Sequence, residues 1–175
     1  MNKIIIGFSR PNGWFEPFSY LIRLVQGWSP YSHAYVRFYL ESSNQWIVLQ
    51  ASGLKVNMIT WENFQKIEII VKEFEISMTS EKHARFLRWA FLKLGIPYGV
   101  LPVIGIGIVL FLKMLGITVK NPFPRGQSEL FCSELVDYTL LYFTRLPLEE
   151  YPDVTTPKDL MDLLTKYQDK IQVLK

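Results

Sequence analysis

The feature that most constrains this chain is a run of strict alternation that is set to fold back on itself. From His33 to Leu40, Ala34, Val36, Phe38 and Leu40 fall on one side and His33, Tyr35, Arg37 and Tyr39 on the other, the period of two that side chains take along a β-strand. After the polar turn Glu41-Ser-Ser-Asn44, Trp46, Val48 and Gln50 alternate with Ile47, Leu49 and Ala51, so a second strand is expected to return antiparallel to the first. A hairpin folded at that turn brings the start of one strand beside the end of the other and makes His33 and Gln50 neighbours.

Other elements follow from pattern. Residues 4–9 read as a strand, and 54–59 and 67–76 as two more, separated by a turn or helix around 61–64; the sheet then has four or five strands. Within 15–28, Phe18, Leu21, Ile22, Leu24, Val25 and Trp28 recur at helical spacing, with Pro17 where an early turn tolerates it. Thr79-Ser80-Glu81 starts a helix whose apolar face holds Ala84, Leu87, Phe91 and Leu94 and which stops at Gly95. A further helix begins near Cys132 with Leu135, Val136, Leu140 and Phe143 on one face, and Thr156-Pro-Lys-Asp159 caps a short last one. No repeat, low-complexity tract or linker divides the 175 residues, so the expectation is one α+β domain with a small antiparallel sheet packed against helices.

Composition narrows the function classes. Lysine and arginine exceed aspartate and glutamate by only 19 to 16 and are scattered, which argues against a nucleic-acid partner. One cysteine and two histidines exclude an internal disulfide and a four-cysteine zinc site, and neither a metal nor an organic cofactor is expected. The first ten residues lack the apolar core of a signal peptide; with a reduced thiol, this suits a cytoplasmic location. Residues 99–119 carry Lys113 as their one charge and approach the roughly 20 apolar residues of a membrane span. Pro102, Gly105, Gly107 and Gly116 interrupt the run, so a buried helix or helical hairpin is expected over a membrane contact.

Cys132, in Leu130-Phe-Cys-Ser-Glu-Leu-Val136, falls at the first turn of its helix, where unpaired N–H groups and the helix dipole favour a thiolate. A free cysteine is more often a small buried residue, so a base is needed to make it a nucleophile. His83 lies in a first helical turn beside Lys82 and Arg85 and reads as a solvated helical residue. His33 opens a strand next to Gln50, whose amide can accept from or donate to an imidazole nitrogen. Glu134, two residues along the helix from Cys132, is expected to serve structure or capping.

Taken in order, Tyr31-Ser-His-Ala-Tyr-Val36, Val48-Leu-Gln-Ala-Ser-Gly53 and Phe131-Cys-Ser-Glu-Leu-Val136 resemble the histidine, following-strand and nucleophile motifs of the circularly permuted papain-like amidases. These are relatives of the NlpC-type cell-wall peptidases and of lecithin retinol acyltransferase, and the likeness is greatest to their bacterial YiiX-like branch. Gly95-Ile-Pro-Tyr98 and Thr156-Pro-Lys-Asp-Leu160 extend it from the first strand to the last helix. The resemblance implies a sheet carrying His33 against a helix presenting Cys132, with Cys132 as nucleophile, His33 as general base and the Cys132 N–H as oxyanion donor. Gln50 is the implied third member, at a position where the family often has an acidic residue; Tyr98 and Ser133 are implied substrate contacts. The implied activity is hydrolysis of an amide, peptide or (thio)ester bond through an acyl-enzyme. Alternatives are a lipid acyltransferase or lipid hydrolase, with 99–119 as lipid or membrane contact, and a non-catalytic binding or virion-associated module. The implied setting is a bacterial or phage-infected cell.

Overall fold

The computed structural model describes residues 2–13, 17–99, 105, 108–109, 111–113, 115–120, 122, 130–144 and 156–174. The alternating segments pair as their pattern requires. Strands β1 (Lys3–Pro11), β2 (His33–Leu40), β3 (Gln45–Ser52), β4 (Lys55–Thr60), β5 (Glu68–Ser77) and β6 (Gln172–Leu174) form one antiparallel sheet in the order β4-β3-β2-β1-β5-β6. Among the described residues, helices α1 (Pro17–Val25), α2 (Trp61–Ile67), α3 (Ser80–Leu92), α4 (Cys132–Phe143) and α5 (Pro157–Lys166) complete an α+β fold. The sheet thus has one strand more than expected, because β6 is three residues long and only its pairing with β5 defines it.

The two faces of the sheet are unequal. Ala34, Val36, Phe38, Ile4, Ile6, Leu49 and Phe74 lie in the main core, with Phe86 of α3, Leu135, Val136 and Leu140 of α4, and Leu160 and Leu164 of α5. Helix α4 packs on β2 and β3 and is flanked by α3 and α5, so its first turn is held against the strand that carries His33. On the opposite face, α2 covers Tyr35 and Val48 with Phe64 and Trp61. There Arg37 makes a two-bonded ion pair with Glu73, Nε to Oε1 at 3.0 Å and Nη2 to Oε2 at 2.6 Å, while the Tyr35 hydroxyl donates to Glu73 Oε1 at 2.8 Å. Tyr35 reaches Glu73 by crossing directly over Gly7, where an added Cβ would lie 2.1 Å from the phenol ring. The Arg37 guanidinium is sandwiched between Trp46 and Trp61, 4.9 and 4.2 Å from their ring centres, a placement that shields the pair from water.

Two expectations need correcting. His83 is buried in α3 against Phe86, not solvated; the buried face of α3 runs through it to Phe86 and Ala90, a stripe its charged neighbours Lys82 and Arg85 obscure, whereas Ala84, Phe91 and Leu94 of the expected apolar face are exposed and Leu87 is half-buried. Within 99–119, Ile108, Phe111, Leu115, Ile117 and Val119 are exposed, while Val109 and Leu112 are half-buried and Gly105 is buried, so the described part is not wholly core. The remainder of that segment lies outside the described residues, as do Pro124 and Gly126 of the loop before Cys132.

Candidate active site

The site begins with turn chemistry. Asn44, in the left-handed region at φ 54, closes the turn before β3, a conformation that asparagine tolerates better than most residues. Gly53 at φ 67 opens the two-residue connection to β4, where a positive φ suits the twist of the strands. The first turn sets the pairing of Leu40 with Gln45, and the second sets Gln50 opposite Asn57.

His33 Nε2 and Gln50 Oε1 are 2.9 Å apart, and the surrounding amides decide which atom donates. Asn57 Nδ2 donates to the Ser52 and Lys55 carbonyls, both at 3.3 Å. Its Oδ1 is therefore left to accept from Gln50 Nε2 at 3.2 Å. Gln50 Oε1 then faces the ring and must accept, so His33 carries its proton on Nε2 and keeps a lone pair on Nδ1. Asn57 is the positioning residue that the sequence reading missed; counting back from the Gly53-Leu54 turn would have found it.

The pairing of β2 with β3 stops at Val36 and Leu49, whereas β1 follows β2 as far as Ser9 and His33. The first turn of α4 meets β2 near this opening, where the Ala34 N–H lies close enough to the Cys132 sulfur to favour its thiolate. The N–H groups of Cys132 and Ser133 and the Tyr98 hydroxyl act on that sulfur in the same way. Ala34, beside the sulfur, and His33 are consecutive residues of β2, whose side chains point to opposite faces, and among the described residues no hydrogen bond joins the imidazole to the sulfur. Glu134 Oε2 accepts from the Phe131 N–H at 3.2 Å, the capping role expected of it.

Tyr98 arrives on a short strap. Pro97 bridges to Lys55 beside β4, and Tyr98 bridges to Leu130; the Tyr98 N–H donates to Leu54 O at 2.9 Å and the Leu130 N–H to Pro97 O at 3.0 Å. His33 and Tyr98 both line a cavity of about 430 Å³ that also involves Ser19 and Ile22 of α1, Ser32 and Ala51. Cys132, 4% exposed, and Ser133, equally buried, are not on its wall. Of the two expected substrate contacts, Tyr98 faces the cavity and Ser133 does not.

Electrostatically the groups rest neutral. Burial holds His33 down at about 4, against the upward pull of its bond to Gln50. Burial likewise pushes the Cys132 thiol up, outweighing the N–H groups and the Tyr98 hydroxyl that pull it down. The thiolate expected from the helix terminus is thus overridden by desolvation. Tyr98 is raised well above the ordinary phenol range by burial and by the neighbouring sulfur, so its hydroxyl stays a donor.

No protein-family model and no curated protein matches this chain.

Proposed function

We propose that the protein is a cysteine hydrolase of circularly permuted papain-like form that cleaves an amide, peptide or (thio)ester bond through an acyl-enzyme. The observation that carries this reading is the directed hydrogen-bond chain from Asn57 through Gln50 to His33, which leaves Nδ1 as a proton acceptor on the residue next to the Cys132 sulfur's Ala34 contact.

In the proposed reaction the Cys132 sulfur attacks the carbonyl carbon as His33 Nδ1 takes the thiol proton. A neutral thiol and neutral imidazole suit a coupled transfer, since both charges form together only when the substrate carbonyl receives the electron pair. The oxyanion is received by the Cys132 N–H and the Tyr98 hydroxyl, donors beside the reacting sulfur. His33 then protonates the leaving amine, alcohol or thiol, giving a thioester on Cys132. Water attacks that thioester with His33 as base, and the acid product leaves with the thiol restored.

Incubation with small activated esters and thioesters tests this by mass spectrometry. An acyl adduct is expected on the native chain, absent from Cys132→Ala, and formed on the order of 10² or more times slower in His33→Ala, the usual contribution of a general base. Adduct rates indifferent to His33→Ala, or no adduct with any acyl donor, would overturn the reading.

A further inference from the structure

Two stretches expose apolar side chains and carry only positive charge. On α1, Tyr20, Leu21 and Leu24 are exposed, and just past it Trp28 is 65% exposed at a tip where Gly27 and Trp28 both have positive φ. A bulky residue held at positive φ is costly, yet here it puts an indole into solvent. From Pro17 to Leu40 there is no aspartate or glutamate; Arg37 is neutralised by Glu73, which leaves Arg23 as the cation of this surface.

In the second stretch, Ile108, Phe111 and Leu115 follow at spacings that share a helix face, with Phe111 53% and Leu115 61% exposed. Gly116 at φ 78 ends this turn, with the Ile117 N–H bonded to Leu112 O at 2.9 Å and the Gly116 N–H to Lys113 O at 3.0 Å, a glycine stop of the Schellman type. Ile117 and Val119 are exposed beyond it. Between Gly99 and Lys120 the only charges are Lys113 and Lys120.

Each stretch has a root at the cavity: Ser19 and Ile22 put the inner side of α1 on its wall, and Tyr98, just before the second stretch, lines it too. We infer that these surfaces dock the protein on an anionic lipid bilayer, bringing the cavity to the membrane. Tryptophan, tyrosine and aliphatic side chains interspersed with cations match the boundary between acyl chains and headgroups. A second copy fits poorly, because a two-fold contact sets the same cations against each other, with no acidic residue in either stretch to pair them. No helix among the described residues is long and apolar enough to cross a membrane, so the contact is peripheral.

Vesicle flotation tests the docking, comparing phosphatidylcholine alone with vesicles holding about 30% phosphatidylglycerol, at about 0.1 M and about 0.5 M salt. The native chain is expected to float with the anionic vesicles and to release partly at high salt. Joint Phe111→Ser and Leu115→Ser substitution, and separately Trp28→Ser, should each weaken binding about tenfold, the effect of losing roughly 1.5 kcal/mol or more of apolar burial. Leu92→Ser, 75% exposed in the native chain at the end of α3, should leave binding unchanged. Cys132→Ala should float like the native chain, so the docking stands or falls separately from the proposed chemistry. Failure to float with anionic vesicles, flotation undiminished by the serine variants, or a concentration-dependent dimer that those variants dissociate would each overturn it.

Discussion

Gln50 is a neutral amide where a carboxylate would stabilise imidazolium, and the consequence is set by sign. With burial depressing His33 to about 4 against the pull of its bond to Gln50, the proposed base is already unprotonated through the neutral range. The pH profile of acyl-adduct formation should therefore rise through about 4 and show no step near 6.5. Gln50→Glu places a carboxylate on Nε2, favours imidazolium and should move that lower limb upward; a limb that stays put would mean that residue 50 does not govern the ring. The partnership of His33 and Gln50 was legible because alternation and one turn suffice to place both. Asn57 was not, since its role depends on register across a second turn, and His83 was misjudged because its charged neighbours suggested solvent while its own side chain completes the stripe to Phe86.

Among the elements, the strap through Pro97 and Tyr98 is the least tolerant of change. Gly99 is buried, and a Cβ there would lie 2.4 Å from the ring of Phe131, the residue immediately before Cys132. Gly99→Ala should cost about 1–3 kcal/mol in urea unfolding, the usual range for overpacking, and lower adduct formation about tenfold by displacing Cys132. Unchanged kinetics with lowered stability would separate the strap's packing from its positioning. Helix α5 was legible in full at its start, because Thr156, Pro157 and Asp159 form a local capping box. Helix α4 has no side-chain cap from Phe131 and relies on Glu134, a signal that reads as a cap only once the helix is in place. The strand β6 offered no period to read at all.

For the whole molecule, the two buried imidazoles make stability depend on acid. Folding holds both His33 and His83 below the ordinary imidazole value, chiefly by burial, so the unfolded chain takes up protons first as pH falls. Both contributions are complete above about 6.5 and are lost as pH falls, that of His33 on the way down to about 4; for His33 alone the loss between about pH 7 and pH 4.5 should be on the order of 2 kcal/mol. Urea midpoints should fall accordingly, and less steeply in His33→Gln; equal slopes would show that other groups set the acid limit. The architecture was visible in the sequence wherever burial imposes a period of two or near four, and obscure where a long-range neighbour does the work.

The order of the motifs along the chain also has a consequence in time. A chain emerges from the ribosome N-terminus first, so the hairpin that holds and orients the imidazole is made well before Cys132 and the helix that seats its sulfur against Ala34. The growing chain thus carries its oriented imidazole before the cysteine that the proposed reaction requires, so acylation of Cys132 can begin only once the strands its helix closes upon are already made.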